Sequence, residues 1–212
     1  MCVQRVHLTG QFVELVPLES VHVGPLLLAA NEDRRSYLFT PVPDSLDAME
    51  QYVAVALDDQ ENRWAVPFVV VRRSDQRIVG TTRFLDLDYW AAGLARPVSP
   101  VPTGGRELPR VGEIGATWYA ESAQRSAVNT ECKLLLLRHG FENWGLERVS
   151  FKTDSRNARS RAAIERIGAH FEGVRRAHVL GVAGVIRNSA YYSILAQEWP
   201  DVRARLEQLL SR

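Results

Sequence analysis

The stretch Val111–Glu131, VGEIGATWYAESAQRSAVNTE, decides the fold. Its first nine residues are rich in β-branched and aromatic types and alternate Glu113 with Ile114, which predicts a strand. A run to Trp144 follows in which Val128, Cys132, Leu135, Leu136 and Phe141 recur at helical spacing. Leu134 and Leu137 widen the stripe, so this helix is expected to be covered on most sides, and Gly145 stands where a glycine ends a helix. Between strand and helix lies Gln124–Glu131, QRSAVNTE. A helix N-terminus leaves its first amides unpaired and carries partial positive charge, which suits a phosphate. Ser126, Ala127, Asn129 and Thr130 are small or polar enough for close approach, and Arg125 would add a charge-assisted bond. The same residues also suit a plain helix cap, with Asn129 or Thr130 bonding its own backbone, and this stretch alone leaves both readings open.

Outward from this unit, HLTGQFVELV (7–16) predicts a first strand with a turn at Gly10, and residues 19–31 a short helix with Ser20 as cap. Ser45 caps a second helix in which Met49, Tyr52, Val53 and Ala56 share a face. Trp64–Arg72 and Arg77–Leu87 read as an antiparallel hairpin, with Gly80 marking a bulge. Residues 91–110 hold four prolines and three glycines and predict an irregular loop, an interdomain linker being the alternative. Downstream come a strand at Glu147–Asp154, a helix at Ser160–Ile167 closed by Gly168, and two strands around the tip Gly181–Gly184. A last helix begins near Pro200 and buries Val202, Leu206 and Leu209.

Lys and Arg total 26 against 25 Asp and Glu, so no global field would draw nucleic acid or an anionic membrane. The 212 residues suit one domain over the whole chain rather than two. Of the two cysteines, Cys2 is near the terminus and Cys132 falls within the helical stripe, a pattern that fits neither a disulfide framework nor a zinc site. No signal-peptide apolar region and no membrane-length apolar run is present, so a cytoplasmic, reducing location is expected. The histidines His7, His22, His139, His170 and His178 share no ligand spacing with an acidic partner, so no metal is expected.

The order of elements, with QRSAVN after the fourth strand, resembles the GNAT superfamily of N-acetyltransferases, whose Q/R-x-x-G-x-G/A loop binds the diphosphate of acetyl-CoA. Ala127 and Asn129 stand where that family carries glycine or alanine. GLERVSFKTDSRNARSRAAIERIGAHFEGVRR resembles the family's next strand, its N-x-x-S turn and helix, and its final strand entry. The resemblance runs over about residues 7–199 and is nearest the RimJ/RimL-like group. It implies an α/β (α+β) fold with a mixed, mostly antiparallel sheet, helices on both faces, and a splay in the middle where acetyl-CoA enters.

By this resemblance an amine attacks the thioester directly and needs a base to be neutral. Glu113, in apolar company, is the candidate base; a solvent-facing or Arg-paired carboxylate is the plainer alternative. A main-chain amide near Ala116 to Trp118 would meet the oxyanion. Relatives often carry a tyrosine acid four residues after the N-x-x-S serine; here that residue is Ile164, leaving Ser160 as the hydroxyl near sulfur, and Asn157 would hold the pantetheine. The cofactor-binding set is then Trp118, Tyr119, Gln124, Arg125, Ser126, Ala127, Val128, Asn129, Thr130, Asn157 and Ser160, with Trp90 and Tyr191 at the acceptor side. Expected partners are acetyl-CoA and a primary amine, either a protein N-terminus or a small molecule. A homo-oligomer is left open, and neither nucleic acid nor a membrane is expected. The altered loop and absent tyrosine also fit a non-catalytic acyl-CoA sensor or docking module. A general nucleotide-phosphate binder is a third reading, though the chain lacks a G-x-x-x-x-G-K-[ST] loop.

Overall fold

The computed structural model describes residues 5–90 and 108–211; the predicted loop at 91–110 lies outside these up to residue 107, as does Cys2. Among the described residues eight strands form one sheet. They are β1 (Leu8–Thr9), β2 (Val13–Pro17), β3 (Val66–Arg72), β4 (Arg77–Asp88), β5 (Val111–Tyr119), β6 (Arg148–Asp154), β7 (His170–Leu180) and β8 (Ile186–Leu195). The spatial order is β1-β2-β3-β4-β5-β6-β8-β7, and only β5 with β6 is parallel. The first predicted strand is in fact a hairpin, because Gly10 begins the turn that splits it. Gly80 does sit at a register shift, with φ 155°.

The helices are α1 (Val23–Ala30), α2 (Leu46–Glu61), α3 (Ala127–Arg138), α4 (Ala158–Arg166) and α5 (Trp199–Leu210). Ser20 does not cap α1: it opens a short 3-10 turn, Ser20–His22, whose cap is Glu19. Ser45 does cap α2, accepting from the Ala48 amide at 3.3 Å. α3 runs on through a π turn, His139–Trp144, and ends at Gly145 in the left-handed conformation, φ 65°. Neighbouring residues on a strand face opposite sides, and β4 shows which helices lie where. Arg83 turns to α2, its guanidinium 4.9 Å from the Tyr52 ring, while Phe84 turns to the π turn after α3, 4.5 Å from the Trp144 ring. Helices therefore cover both faces, and among the described residues none is long and apolar enough to cross a membrane.

Val128, together with every residue from Thr130 to Leu137, is buried, as the wide stripe implied. Two of them are charged. Glu131 accepts from the amides of Gln11, Phe12 and Val13 at 2.7, 2.6 and 2.8 Å, locking the β1–β2 turn onto α3. Any side chain at Gly10 would collide with that carboxylate, which lies 2.4 Å from an added Cβ. The other is Lys133.

The sheet is deformed at its middle. β5 and β6 pair only from Val111↔Arg148 to Glu113↔Ser150. Beyond that point the strands run on unpaired with each other, to Tyr119 and Asp154, and a slot opens between them. The β4–β5 ladder slips twice, once between Thr81↔Trp118 and Arg83↔Gly115 and once between Leu85↔Glu113 and Asp88↔Val111. Each slip holds a non-glycine residue in the left-handed region, Ala116 at φ 46° and Asp86 at φ 50°, at a cost of about 1–2 kcal/mol apiece.

Candidate active site

Glu113 is the last β5 residue paired with β6, so its carboxylate sits at the apex of the slot. The residue is 4% exposed. Its Oε2 lies 3.1 Å from Lys152 Nζ, which also reaches Asp86 Oδ2 at 2.9 Å. Burial raises the Glu113 carboxyl to about 7, the attraction of Lys152 opposing this only in part. Lys152 is held above its usual value: burial opposes its charge, but Glu113 and Asp86 outweigh burial. Gly115 leaves room for the carboxylate, since an added Cβ there would lie 2.7 Å from Oε1. Glu113 is thus neither solvent-facing nor Arg-paired; its partner is a lysine on β6, just past the Glu113 register partner Ser150. The sequence shows Lys152 alternating along a strand, but only the β5–β6 register places it against Glu113.

The slip at Ala116 puts two β5 residues, Ala116 and Thr117, opposite Thr82 alone. A bulge of this kind leaves the extra residue outside the ladder and re-aims its main-chain groups. Trp118 and Tyr119 are buried, the Trp118 ring edge-on to Tyr37 and the Tyr119 hydroxyl next to Cys132. Both side chains therefore serve the core. The Tyr119 carbonyl accepts from Tyr37 Oη at 2.8 Å and Gln124 Nε2 at 3.0 Å.

After β5, the left-handed residue in the loop is Arg125, φ 56°, two residues ahead of the family's glycine position. Ala127 and Asn129 are ordinary helical residues of the first turn of α3 and need no glycine. Ser126 caps the helix, its hydroxyl accepting from Val128 N at 3.3 Å and donating to Ala123 O at 2.6 Å. The amides of the first turn otherwise lack an intrahelical carbonyl. The side chains of Val128 and Thr130 turn inward, Thr130 Oγ1 accepting from Arg166 at 2.8 Å. Arg159, from α4, reaches across the loop to Gln124 Oε1 at 3.2 Å and Ser36 O at 2.8 Å, a cation that sequence spacing did not bring to this loop.

The helix predicted from Ser160 begins at Ala158, because Asn157 caps it: the Asn157 Oδ1 accepts from Ser160 N at 3.0 Å. Its carboxamide oxygen is thereby engaged. Ile164 is buried, and no hydroxyl is available at that position.

On the face of Glu113 a groove of about 470 Å³ is lined by Asp59, Trp64, Arg83, Asp86, Asp88 and Ala116 among others. It joins the bulge to the Asp86–Lys152–Glu113 chain. Trp90 is half exposed beside Arg110 and is not among the lining residues; Trp64, which no feature of the sequence singles out, is. Tyr191 is the register partner of Lys152, and its hydroxyl is 3.1 Å from His178 Nε2, whose Nδ1 lies 3.0 Å from Ser189 Oγ. Among the described residues no group of His, Cys, Asp and Glu has the arrangement to hold a metal ion.

Known proteins share this architecture. Residues 13–170 match the family described as Acetyltransferase (GNAT) domain. The curated "Putative ribosomal N-acetyltransferase YdaF" of Bacillus subtilis (strain 168) is 36% identical over 93 residues, 44% of this chain and 50% of that protein, so the match spans half the relative's length. A "putative acetyltransferase" from T. thermophilus superposes with a TM-score of 0.78 at 30% identity, covering 99% of this chain and 100% of that one. A GCN5-related N-acetyltransferase from Brucella melitensis gives 0.79 at 25% identity, covering 98% and 86%. The family match over most of the chain, the full-length likeness and the parted β5–β6 pair lead to one conclusion: this chain belongs to the GNAT acetyltransferase family.

Proposed function

We propose that the protein transfers an acetyl group from acetyl-CoA to a primary amine by direct attack, in the manner of the RimJ/RimL-like group. The observation that carries this reading is the buried Glu113 carboxylate at the apex of a slot whose β5 side leads, through the Glu121–Ala123 turn, to the N-terminus of α3.

The residues present fit such a substrate. The first-turn amides of α3 with Arg125 and Arg159 form a cationic cradle for a diphosphate. The unpaired stretch of β5 beyond Glu113 offers main-chain groups to a pantetheine arm, and the bulged Ala116–Thr117 offers amides to a developing oxyanion. Glu113 takes the proton from the acceptor nitrogen, directly or through water. Its carboxyl at about 7 matches that task, because a base works best near the operating pH. Lys152 keeps a fraction ionised that burial alone would suppress. Three carboxylates line the groove, Asp59 standing 3.9 Å from Arg83 and Asp86 paired with Lys152, and the acceptor amine, on a protein N-terminus or a small molecule, would enter along it.

The test is release of free thiol from acetyl-CoA, followed across peptide N-termini and small amines. Turnover with one of these amines supports the reading. Tight acetyl-CoA binding with no thiol released by any amine would leave a binding module instead.

A further inference from the structure

Lys133 lies on the second turn of α3 and reaches into the slot. Its Nζ donates to Thr117 Oγ1 at 3.0 Å and stands 5.8 Å from the centre of the Phe151 ring. Thr117 is on β5 and Phe151 on β6, each beyond the last pair that joins those strands. The ammonium therefore spans the two strands where they have ceased to bond each other. The residue is 6% exposed. An ammonium has three protons to donate, and among the described residues this one meets a single hydrogen-bond acceptor, a neutral hydroxyl. Burying a cation that no carboxylate contacts is costly to stability, and an apolar side chain of similar length would fill the space without that cost. A charge held there at a loss to stability points to a ligand that uses it.

We propose that Lys133 is the acid that meets the departing sulfur, filling the role vacated where Ile164 replaces a tyrosine. The inference rests on the placing of acetyl-CoA in the slot given above. The acceptor nitrogen attacks the thioester carbonyl carbon, and the carbon–sulfur bond breaks with its electron pair passing to sulfur. A proton moves from Lys133 Nζ to that sulfur, giving free CoA thiol and a neutral lysine amine. The proton lost by the acceptor nitrogen passes to Glu113. Exchange with water on product release returns Glu113 to carboxylate and Lys133 to ammonium, so the cycle neither gains nor loses a proton.

The titratable groups facing Lys133 are Glu113 on β5 and Cys132 beside it on α3, with Tyr119 behind Cys132 and Lys152 beyond Glu113. Burial lowers the Lys133 ammonium to about 8, Cys132 and Glu113 opposing. It is thus mostly charged at neutral pH and still able to give up a proton.

The test titrates CoA bound to the full chain, following the ultraviolet absorbance of its thiolate, in the wild type, Lys133→Met and Lys133→Arg. Calorimetry first establishes that CoA binds each. The expected result is a bound thiol that ionises at least about one pH unit lower in the wild type than in Lys133→Met, with Lys133→Arg close to the wild type. In turnover, Lys133→Met is expected to lose about 10²-fold, the low end of what one proton-transfer group contributes. Lys133→Arg keeps the charge but cannot give up a proton, so its turnover should fall too, while its residual kcat/KM no longer declines above about pH 8, and this readout stands if the Met variant fails to fold. Equal thiol ionisation in wild type and Lys133→Met with CoA bound to both, or an unmoved alkaline limb in Lys133→Arg, would overturn the role of Lys133 alone. No CoA binding by the wild type would overturn the acetyl-CoA reading with it.

Discussion

Glu113 and Glu131 are both 4% exposed, both glutamates, and both belong to the same strand–loop–helix unit. Their surroundings differ in kind. Glu131 is met by three main-chain amides, and the result is a sealed joint between α3 and the β1–β2 turn. Glu113 is met by one lysine that it shares with Asp86, beside an open groove and an open slot. Burial by itself does not mark a catalytic carboxylate. What separates the two is whether the local partners exhaust the oxygen lone pairs and whether space remains for a further molecule.

The contrast can be broken by exchanging penalties between stability and rate. Glu113→Gln is expected to lower turnover by about 10²–10⁴-fold while acetyl-CoA binds as before, because one positioned base contributes about that much. Steady-state thiol release with calorimetry checks it, and unchanged turnover across pH removes Glu113 as the base. Glu131→Ala should do the opposite, costing about 3 kcal/mol by stranding three amides, or a melting temperature lower by about 6–12 °C, with kcat per folded molecule within about twofold. A Glu131 variant that melts like the wild type would erase the distinction. Lys152→Met sharpens the comparison at Glu113. Glu113 must be ionised to act, and the nearby cation favours the ionised form, so its removal should carry the acid limb of kcat/KM, near pH 7 in the wild type, to higher pH. A limb that stays or moves down would show that Glu113 does not set it. Asn129→Asp is the mildest change: a negative charge beside the bound diphosphate should weaken CoA by about 1 kcal/mol, roughly fivefold, at low salt. An unaltered dissociation constant there would argue against the diphosphate lying at α3.

Much of the scaffold was legible because local chemistry dictates it. Ser45, Gly80 and Gly145 each signal a cap, a bulge or a stop that the backbone adopts. Glu113 stood out as an acid within an apolar strand. Lys152 and Lys133 did not, because a charged residue at a regular position of a strand or helix looks solvated until the sheet order is known. Both acquire meaning only from β5 and β6 lying parallel, a pairing between segments separated by a whole helix. Asn157 was legible as a polar turn residue, but whether its oxygen serves a ligand or the next helix depends on where α4 starts. Trp64 and Trp90 are alike in sequence, and only the position of the groove tells them apart.

The two slips in the β4–β5 ladder run in opposite senses, one adding a residue to β5 and the other to β4. They cancel, so the strands are back in step at both ends and only the pairs Arg83↔Gly115, Phe84↔Ile114 and Leu85↔Glu113 are displaced. The sheet thus contains a short offset patch, and Glu113 lies inside it. Deleting either surplus residue would transmit the offset to the end of the strand and turn its outward side chains inward, whereas deleting both together would flatten the patch and leave the flanks in register.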